Sequence, residues 1–260
     1  MFDVKIRKTT RRGRSHTQRC EDESLVFSYN QIGVIIVFDG CSSGTDSYFA
    51  SGLFAKIFKK IAIQYKTYIE NINDFSPLEG VSYTLMKLFF NELKYSFYYF
   101  ELDLTEILST IVLSVVNLKT KESYSIIAGD GSIYVDGTMH TVQPNNENAP
   151  NYISYYLSSS FDDIWKNNVY KYNFKVEKTI AVLSDGIDSF KNYNENRYVN
   201  EDEKNEIIKQ FFESGYLLNN KIGLSRICNI FEDKNIAPSD DLSIAHITFV
   251  EIPEKNEIIR

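Results

Sequence analysis

Four short apolar segments, far apart in the chain, each carry an acidic residue at one end: VIIVFDG with Asp39, SIIAGDG with Asp130, IAVLSDG with Asp185, and PSDDLSIAHI with Asp240 and Asp241. Such β-branched runs bounded by Gly read as buried strands. An Asp at the tip of a buried strand is held at the rim of the core, and a following Gly lets the backbone turn sharply or approach a ligand closely. A further acidic group, CEDE with Glu21 and Asp22, lies upstream. If these tips converge, the carboxylates repel one another, and their ionised forms are disfavoured unless cations compensate. Hard oxygen donors of this kind suit Mg2+ or Mn2+. The fold must therefore bring strand ends from distant parts of the chain to one place.

The remaining pattern sets strands at both ends of the chain and helices between them. Leu25 to Tyr29 and Val34 to Phe38 form paired strands around YNQIG. Ser47 to Tyr65 carries Phe49, Leu53, Phe54, Ile57, Phe58 and Ile61 at helical spacing, and Thr84 to Phe100 repeats the pattern after the connection NINDFSPLEG. Ile107 to Val116, Ser123 to Ala128 and Ser132 to Val135 are short strands of an antiparallel meander. Lys178 to Leu183 adds a strand, Asn200 to Asp233 reads as helices, and Leu242 to Val250 closes the sheet. No repeat or Pro/Gly-rich linker splits the chain, so residues 1–260 are expected to form a single α+β domain.

Charge and cysteine usage narrow the function classes. No stretch is apolar enough to cross a membrane, and MFDVKIRKTT lacks the apolar centre of a signal peptide. Three cysteines, Cys20, Cys41 and Cys228, show no paired spacing, which points to a reducing compartment, by default the cytoplasm. A net charge of -7 argues against nucleic acid as the main partner. Lys5, Arg7, Lys8, Arg11, Arg12 and Arg14 dissent. They are the polar face of an opening strand with its turn, a cationic rim that steers a phosphorylated substrate, or a direct nucleic-acid contact. Tyr and Phe number 18 each, an abundance that coding bias explains more simply than a ligand-stacking surface.

The order and wording of the acidic segments resemble the metal-dependent protein phosphatases of type 2C, from about Gly13 to Val250. CEDE matches that family's early acidic motif, FDG at Phe38 to Gly40 its "DG" strand end, and LSTIVLSVV loosely its "GST/GTT" strand. GDG at Gly129 to Gly131 matches its "GDS" turn, SDG at Ser184 to Gly186 is intact, and DDLS at Asp240 to Ser243 stands for its final "DN-x-T". GRSHTQRCED is similar to a divergent bacterial branch. The resemblance implies two antiparallel sheets packed face to face as a central sandwich flanked by helices. It also implies hydrolysis of phosphoserine and phosphothreonine on phosphoprotein substrates; the sequence does not fix the oligomeric state, and a monomer is favoured.

The same resemblance implies a two-ion site for Mn2+ or Mg2+. Asp39 would bridge the ions, with a hydroxide between them as nucleophile. The carbonyl of Gly40 would serve one ion, and Asp185 and Asp240 the other. Glu21 and Asp22 would act mostly through coordinated waters, and Asp130 would help hold a third ion. At Asp240 and Asp241 the choice of ligand is open from the residues alone; the resemblance aligns Asp240 with the ligand and Asp241 with the family's usual amide. Two departures matter. The family's phosphate-gripping Arg is replaced by Thr17, flanked by His16 and Arg19, and the proposed proton-donating His after "DG" is replaced by Cys41. His16 is either a substitute donor or phosphate ligand, or a structural histidine. If residues 14–19 form a strand, alternation puts Arg14 and His16 on one face and Arg19 on the other. A silent family member acting as a phosphoprotein-binding or regulatory module is the alternative reading.

Overall fold

A computed structural model describes residues 2–71, 77–143, 150–214 and 222–251. The first strands are β1 (Phe2–Arg11), β2 (Asp22–Tyr29) and β3 (Ile32–Asp39), followed by helices α1 (Ser47–Gln64), α2 (Lys66–Glu70) and α3 (Leu78–Tyr99). Then come β4 (Ile111–Asn117), β5 (Glu122–Ala128), β6 (Gly131–Val135), β7 (Thr138–Val142), α4 (Phe161–Asn167), β8 (Tyr170–Lys175) and β9 (Thr179–Leu183). The chain continues through β10 (Phe190–Asn192), β11 (Arg197–Tyr198), α5 (Glu201–Phe212), α6 (Gly223–Glu232), β12 (Ile236–Pro238) and β13 (Leu242–Glu251). Two five-stranded antiparallel sheets result, ordered β1-β13-β9-β6-β7 and β2-β3-β4-β5-β8, with a small sheet β11-β10-β12 beside them.

Burial on both faces explains why the central strands are almost wholly apolar. Between the sheets, Ile35, Val37, Val112 and Ile127 meet Ile133, Val182, Ala245 and Ile247. The opposite face of the second sheet, with Ile36, Phe38, Leu113 and Ile126, packs on α1, α3 and α4. The outer face of the first, with Ala181, Leu183, Leu242 and Ile244, packs on α5 and α6. The architecture is thus α-β-β-α, the α+β sandwich expected.

Helix α1 buries Ala50, Phe54, Ile57, Phe58 and Ile61, a single stripe. Phe58 stacks on Phe89 of α3 at 4.6 Å between ring centroids, and Phe54 meets the same ring edge-on at 4.8 Å. Such pairs add about 0.5–1.5 kcal/mol each beyond their buried area. Phe49, expected in this stripe, is 37% exposed beside it.

Several boundaries differ from expectation. Helix α3 starts at Leu78, six residues before Thr84, because Pro77 takes an extended conformation (φ -66°, ψ 119°) and opens the helix instead of lengthening the loop. Of the NINDFSPLEG connection, residues 72–76 lie outside the described residues, as do 215–221 of the expected helical stretch. The strand expected from Ile107 begins at Ile111, since Leu104–Ile107 forms a short 3-10 turn with a capping box between Asp103 and Glu106. β7 and β8, at sheet edges, have polar sequences (TMHTV, YKYNFK) without an apolar run to announce them.

Candidate metal centre

The register carries the acidic tips to one end of the sandwich. Asp22 lies opposite Asp39 across β2 and β3. Leu183, at the end of β9, lies beside Ser132 of β6 and Ile244 of β13. Asp185 just after β9, Asp130 just before β6, and Asp240 and Asp241 just before β13 therefore share one rim. Asp130, Asp185, Asp188 and Asp240 line a cavity of about 340 Å3 together with Ser189 and Tyr198.

The carboxyl groups perturb one another. Asp39 is within hydrogen-bonding reach of both Asp22 and Asp185. Desolvation, reinforced by Asp22 and Asp185, raises the Asp39 carboxyl well above the usual carboxylate range. Burial does the same to Asp22, against the opposing hydrogen bond from Ser184. Asp130 is pushed up to about 7 by burial and then by Asp185. Asp185 is raised by desolvation and by Asp240, although its side chain reaches solvent.

Whether these residues fit divalent ions is decided by their unpaired oxygens. Asp22 Oδ1 and Glu21 Oε2 are buried with no hydrogen-bond partner among the described residues. Buried acceptors without donors are costly, and a cation is the partner that satisfies carboxylates already repelling one another. The donor set fits hard cations. Among the described residues, however, no group of three or more His, Cys, Asp or Glu side chains is arranged so that it could hold a metal ion as it stands.

Backbone packing shapes the rim. A Cβ on Gly40 would lie 2.3 Å from the carbonyl oxygen of Ser47 and 2.8 Å from that of Glu21, while Gly40 N–H donates to Glu21 O at 3.1 Å. The first turn of α1 and the acidic loop thus close on Gly40. This packing requires Gly whatever its carbonyl binds. At Gly13 a Cβ would lie 2.2 Å from the carbonyl carbon of Asp240, so Gly13 lets the basic loop rest on the Asp240–Asp241 turn.

The Asp240–Asp241 pair divides its work. Asp241 is 2% exposed, and its carboxylate accepts from Gly13 N–H at 2.6 Å, from Glu21 N–H, and pairs with His16 Nδ1 at 2.9 Å. Asp240 remains half-exposed and faces His16 Nε2 at 3.1 Å. His16 accordingly sits between the two acids, with Glu21 Oε2 at 3.8 Å.

Residues 12–21 are a loop with a turn at Gly13–His16, so strand alternation does not govern them. His16 is inside the acidic cluster. The Arg14 guanidinium lies 4.4 Å over Tyr193, and that of Arg19 lies 4.1 Å over Tyr48. Much of the N-terminal basic cluster serves the edge strand β1: Lys8 pairs with Glu23 at 3.6 Å, and Arg11 with Glu232. Cys41 contacts Ser43 Oγ at 3.1 Å. Asp188 is bound to Lys204 at 2.6 Å, His246 is fully buried beside Thr248, and His140 packs on Phe174.

Ser184 joins the site without having been among the expected ligands. Its hydroxyl donates to Asp22 Oδ2 at 2.6 Å and accepts from Ser243 N–H at 2.9 Å, joining the two sheets at the rim. A Ser directly before Asp-Gly at a strand end was the available signal. Tyr193 and Tyr198, near the mouth, were indistinguishable from the general excess of tyrosine.

Residues 12–216 match the sequence family described as Protein phosphatase 2C. No curated protein matches the chain. Among solved structures, a bacterial serine phosphatase carrying one substitution is similar over 96% of this chain and 99% of that one, at 14% identity and a TM-score of 0.61. PppA, a key regulatory component of T6SS in Pseudomonas aeruginosa, is similar over 95% and 97%, at 14% identity and 0.57. RsbX in complex with magnesium is similar over 96% and 100%, at 12% identity and 0.53. At such identities these likenesses establish the fold alone.

Proposed function

This chain belongs to the protein phosphatase 2C family, and on that premise we propose that it is a metal-dependent phosphatase acting on phosphoserine and phosphothreonine in proteins. The observation that carries this reading is the meeting of Asp39 with Asp22 and Asp185 beside buried, unpartnered carboxylate oxygens. Asp39, Asp185 and Asp240 would be the principal ligands of two ions, Mn2+ or Mg2+. Glu21, Asp22 and the carbonyl of Gly40 would support them, and Asp130 would help hold a third. The chemistry such ions supply when bound is acidification of a water and neutralisation of phosphoryl oxygens. The chain's own contribution is positional: Ser184 orients Asp22, and Asp241 fixes the loop that carries His16 and Glu21. His16, with Nε2 aimed at Asp240, is the group placed to act beside that ligand in the absence of an Arg at position 17.

A second reading is a silent, phosphoprotein-binding regulator, favoured by Thr17 in place of the phosphate-gripping Arg and by His16 already engaging Asp240. Retention of mutually repelling acids favours the enzyme, since a silent site gains nothing from them. A Mn2+ titration of hydrolysis over a panel of phosphopeptides separates the two: metal-dependent turnover supports the enzyme, and phosphopeptide binding without turnover supports the regulator. A cytoplasmic location is supported by Cys20, Cys41 and Cys228 all being free thiols. Among the described residues no helix is long and apolar enough to cross a membrane. We favour a monomer.

A further inference from the structure

Two cations beside the acidic mouth, the exposed Arg14 and the half-buried Lys191, are held by aromatic rings instead of carboxylates. The backbone N–H of Arg14 donates to Pro238 O at 3.0 Å, which seats the loop against β12. β12 pairs with β10, placing Lys191 opposite Ala237, and β10 pairs with β11, placing Lys191 opposite Tyr198. Both cations reach the Tyr193 ring, Arg14 at 4.4 Å and Lys191 at 5.7 Å, and Lys191 also lies 6.0 Å from the Tyr198 ring. Among the described residues neither has an acidic partner. Neighbouring cations are already neutralised: Lys204 by Asp188 at 2.6 Å and Arg197 by Glu203 at 2.6 Å. The Tyr193 hydroxyl is buried with no hydrogen-bond partner among the described residues, so the cations meet the face of its ring and not its polar end. It is continuous with the mouth, because Tyr198 also lines the cavity of Asp130, Asp185 and Asp240.

We propose that Arg14 and Lys191 form a subsite for an acidic residue flanking the phosphorylated residue of the substrate peptide. The proposal rests on the phosphatase reading and adds a substrate class to it. A chain of net charge -7 with an acid-lined mouth repels an acidic phosphopeptide over most of its surface. A cation stacked on a ring keeps its charge available to an incoming carboxylate, whereas an ion-paired one does not. Exposed charge pairs each alter affinity by only about twofold to fivefold, so the two together set a preference of about fivefold or somewhat more.

The test is fluorescence anisotropy at low ionic strength with Mg2+ present. Its probes are two labelled peptides carrying a non-hydrolysable phosphonate in place of phosphoserine, identical except for Asp or Asn at the flanking positions. The wild-type chain is expected to bind the Asp peptide about fivefold tighter. Arg14→Ala combined with Lys191→Ala should abolish the preference, and Arg14→Glu with Lys191→Glu should reverse it. Arg19→Ala, which removes a cation stacked on Tyr48 instead, should retain it. No preference in the wild type, survival of the preference in the double Ala variant, or equal loss in Arg19→Ala overturns the subsite. Because binding is read without turnover, these outcomes are distinct from failure of the phosphatase reading, which metal-dependent hydrolysis decides.

Discussion

His16 Nδ1 lies 2.9 Å from Oδ2 of Asp241, an almost fully buried carboxylate that also holds the backbone N–H groups of Gly13 and Glu21. One side chain therefore ties the whole loop between β1 and β2 to the start of β13. Asp241→Ala leaves several donors without an acceptor, each costing about 1–3 kcal/mol when buried. A loss of about 2–4 kcal/mol is expected. Asp240→Ala, at a half-exposed position, is expected to leave metal-free stability near wild type while weakening metal binding. Denaturant melts of both variants in chelator check this, and a fully stable Asp241→Ala protein refutes the anchoring role.

Ser184→Ala removes the donor to Asp22 and the acceptor for Ser243 N–H at a buried junction. About 1–2 kcal/mol of stability should be lost. Loss of an outer-shell partner commonly weakens metal affinity by about tenfold to a hundredfold. The Mn2+ concentration giving half-maximal activity should rise accordingly, and an unchanged value would remove Ser184 from the site.

The acidic rim fixes the sign of the pH dependence. Asp130 titrates at about 7 in the folded chain, and Asp22 and Asp39 lie well above their usual range. Between the ordinary carboxylate pKa and these raised values, the folded state binds more protons than the unfolded one. Metal-free stability should therefore fall as pH rises from about 4 to 7, by up to about 1.4 kcal/mol per pH unit for each such group. Metal affinity should rise over the same range, because binding displaces those protons. Chelator-treated protein that became more stable across this window would contradict the mutual repulsion of the acids.

His16 and Arg19 make a contrasting pair. His16 lies between Asp240 and Asp241, whereas Arg19 lies over Tyr48. His16→Ala should lower kcat about tenfold or more, in the range of a lost acid-base or positioning group, and Arg19→Ala should change it less than about twofold. Steady-state kinetics on one phosphopeptide decides, and a crippled Arg19 variant beside a normal His16 variant reverses the assignment.

Much of this arrangement was legible in the sequence because it lies on buried strands. Asp39, Asp130 and Asp185 end runs such as VIIVFDG whose composition marks them as core, and register carries their tips to one rim. The edge strands β7 and β8 were not legible, since exposure removes the selection for apolar residues that would mark them. Alternation does not describe the loop of Arg14, His16 and Arg19, because its course is set by contacts from Asp241 and Pro238, more than 200 residues away in sequence. The roles of Ser184 and Asp241 likewise depend on which backbone groups lie opposite them, a tertiary fact with no local signature.

Steady-state hydrolysis of a phosphoserine peptide during a Mn2+ titration, with Asp39→Asn measured beside the wild type, decides whether the acidic rim works as a catalytic metal centre. No turnover is expected in chelator, with saturable activation of the wild type by Mn2+ and a loss of at least about a hundredfold in Asp39→Asn, as for removal of a principal electrostatic stabiliser. The variant should also melt at a higher temperature than wild type in chelator, because an amide, unlike the Asp39 carboxylate, need not be neutralised to be buried beside Asp22 and Asp185. Metal-independent turnover, or an Asp39→Asn variant that keeps more than about a tenth of wild-type activity, would contradict that role.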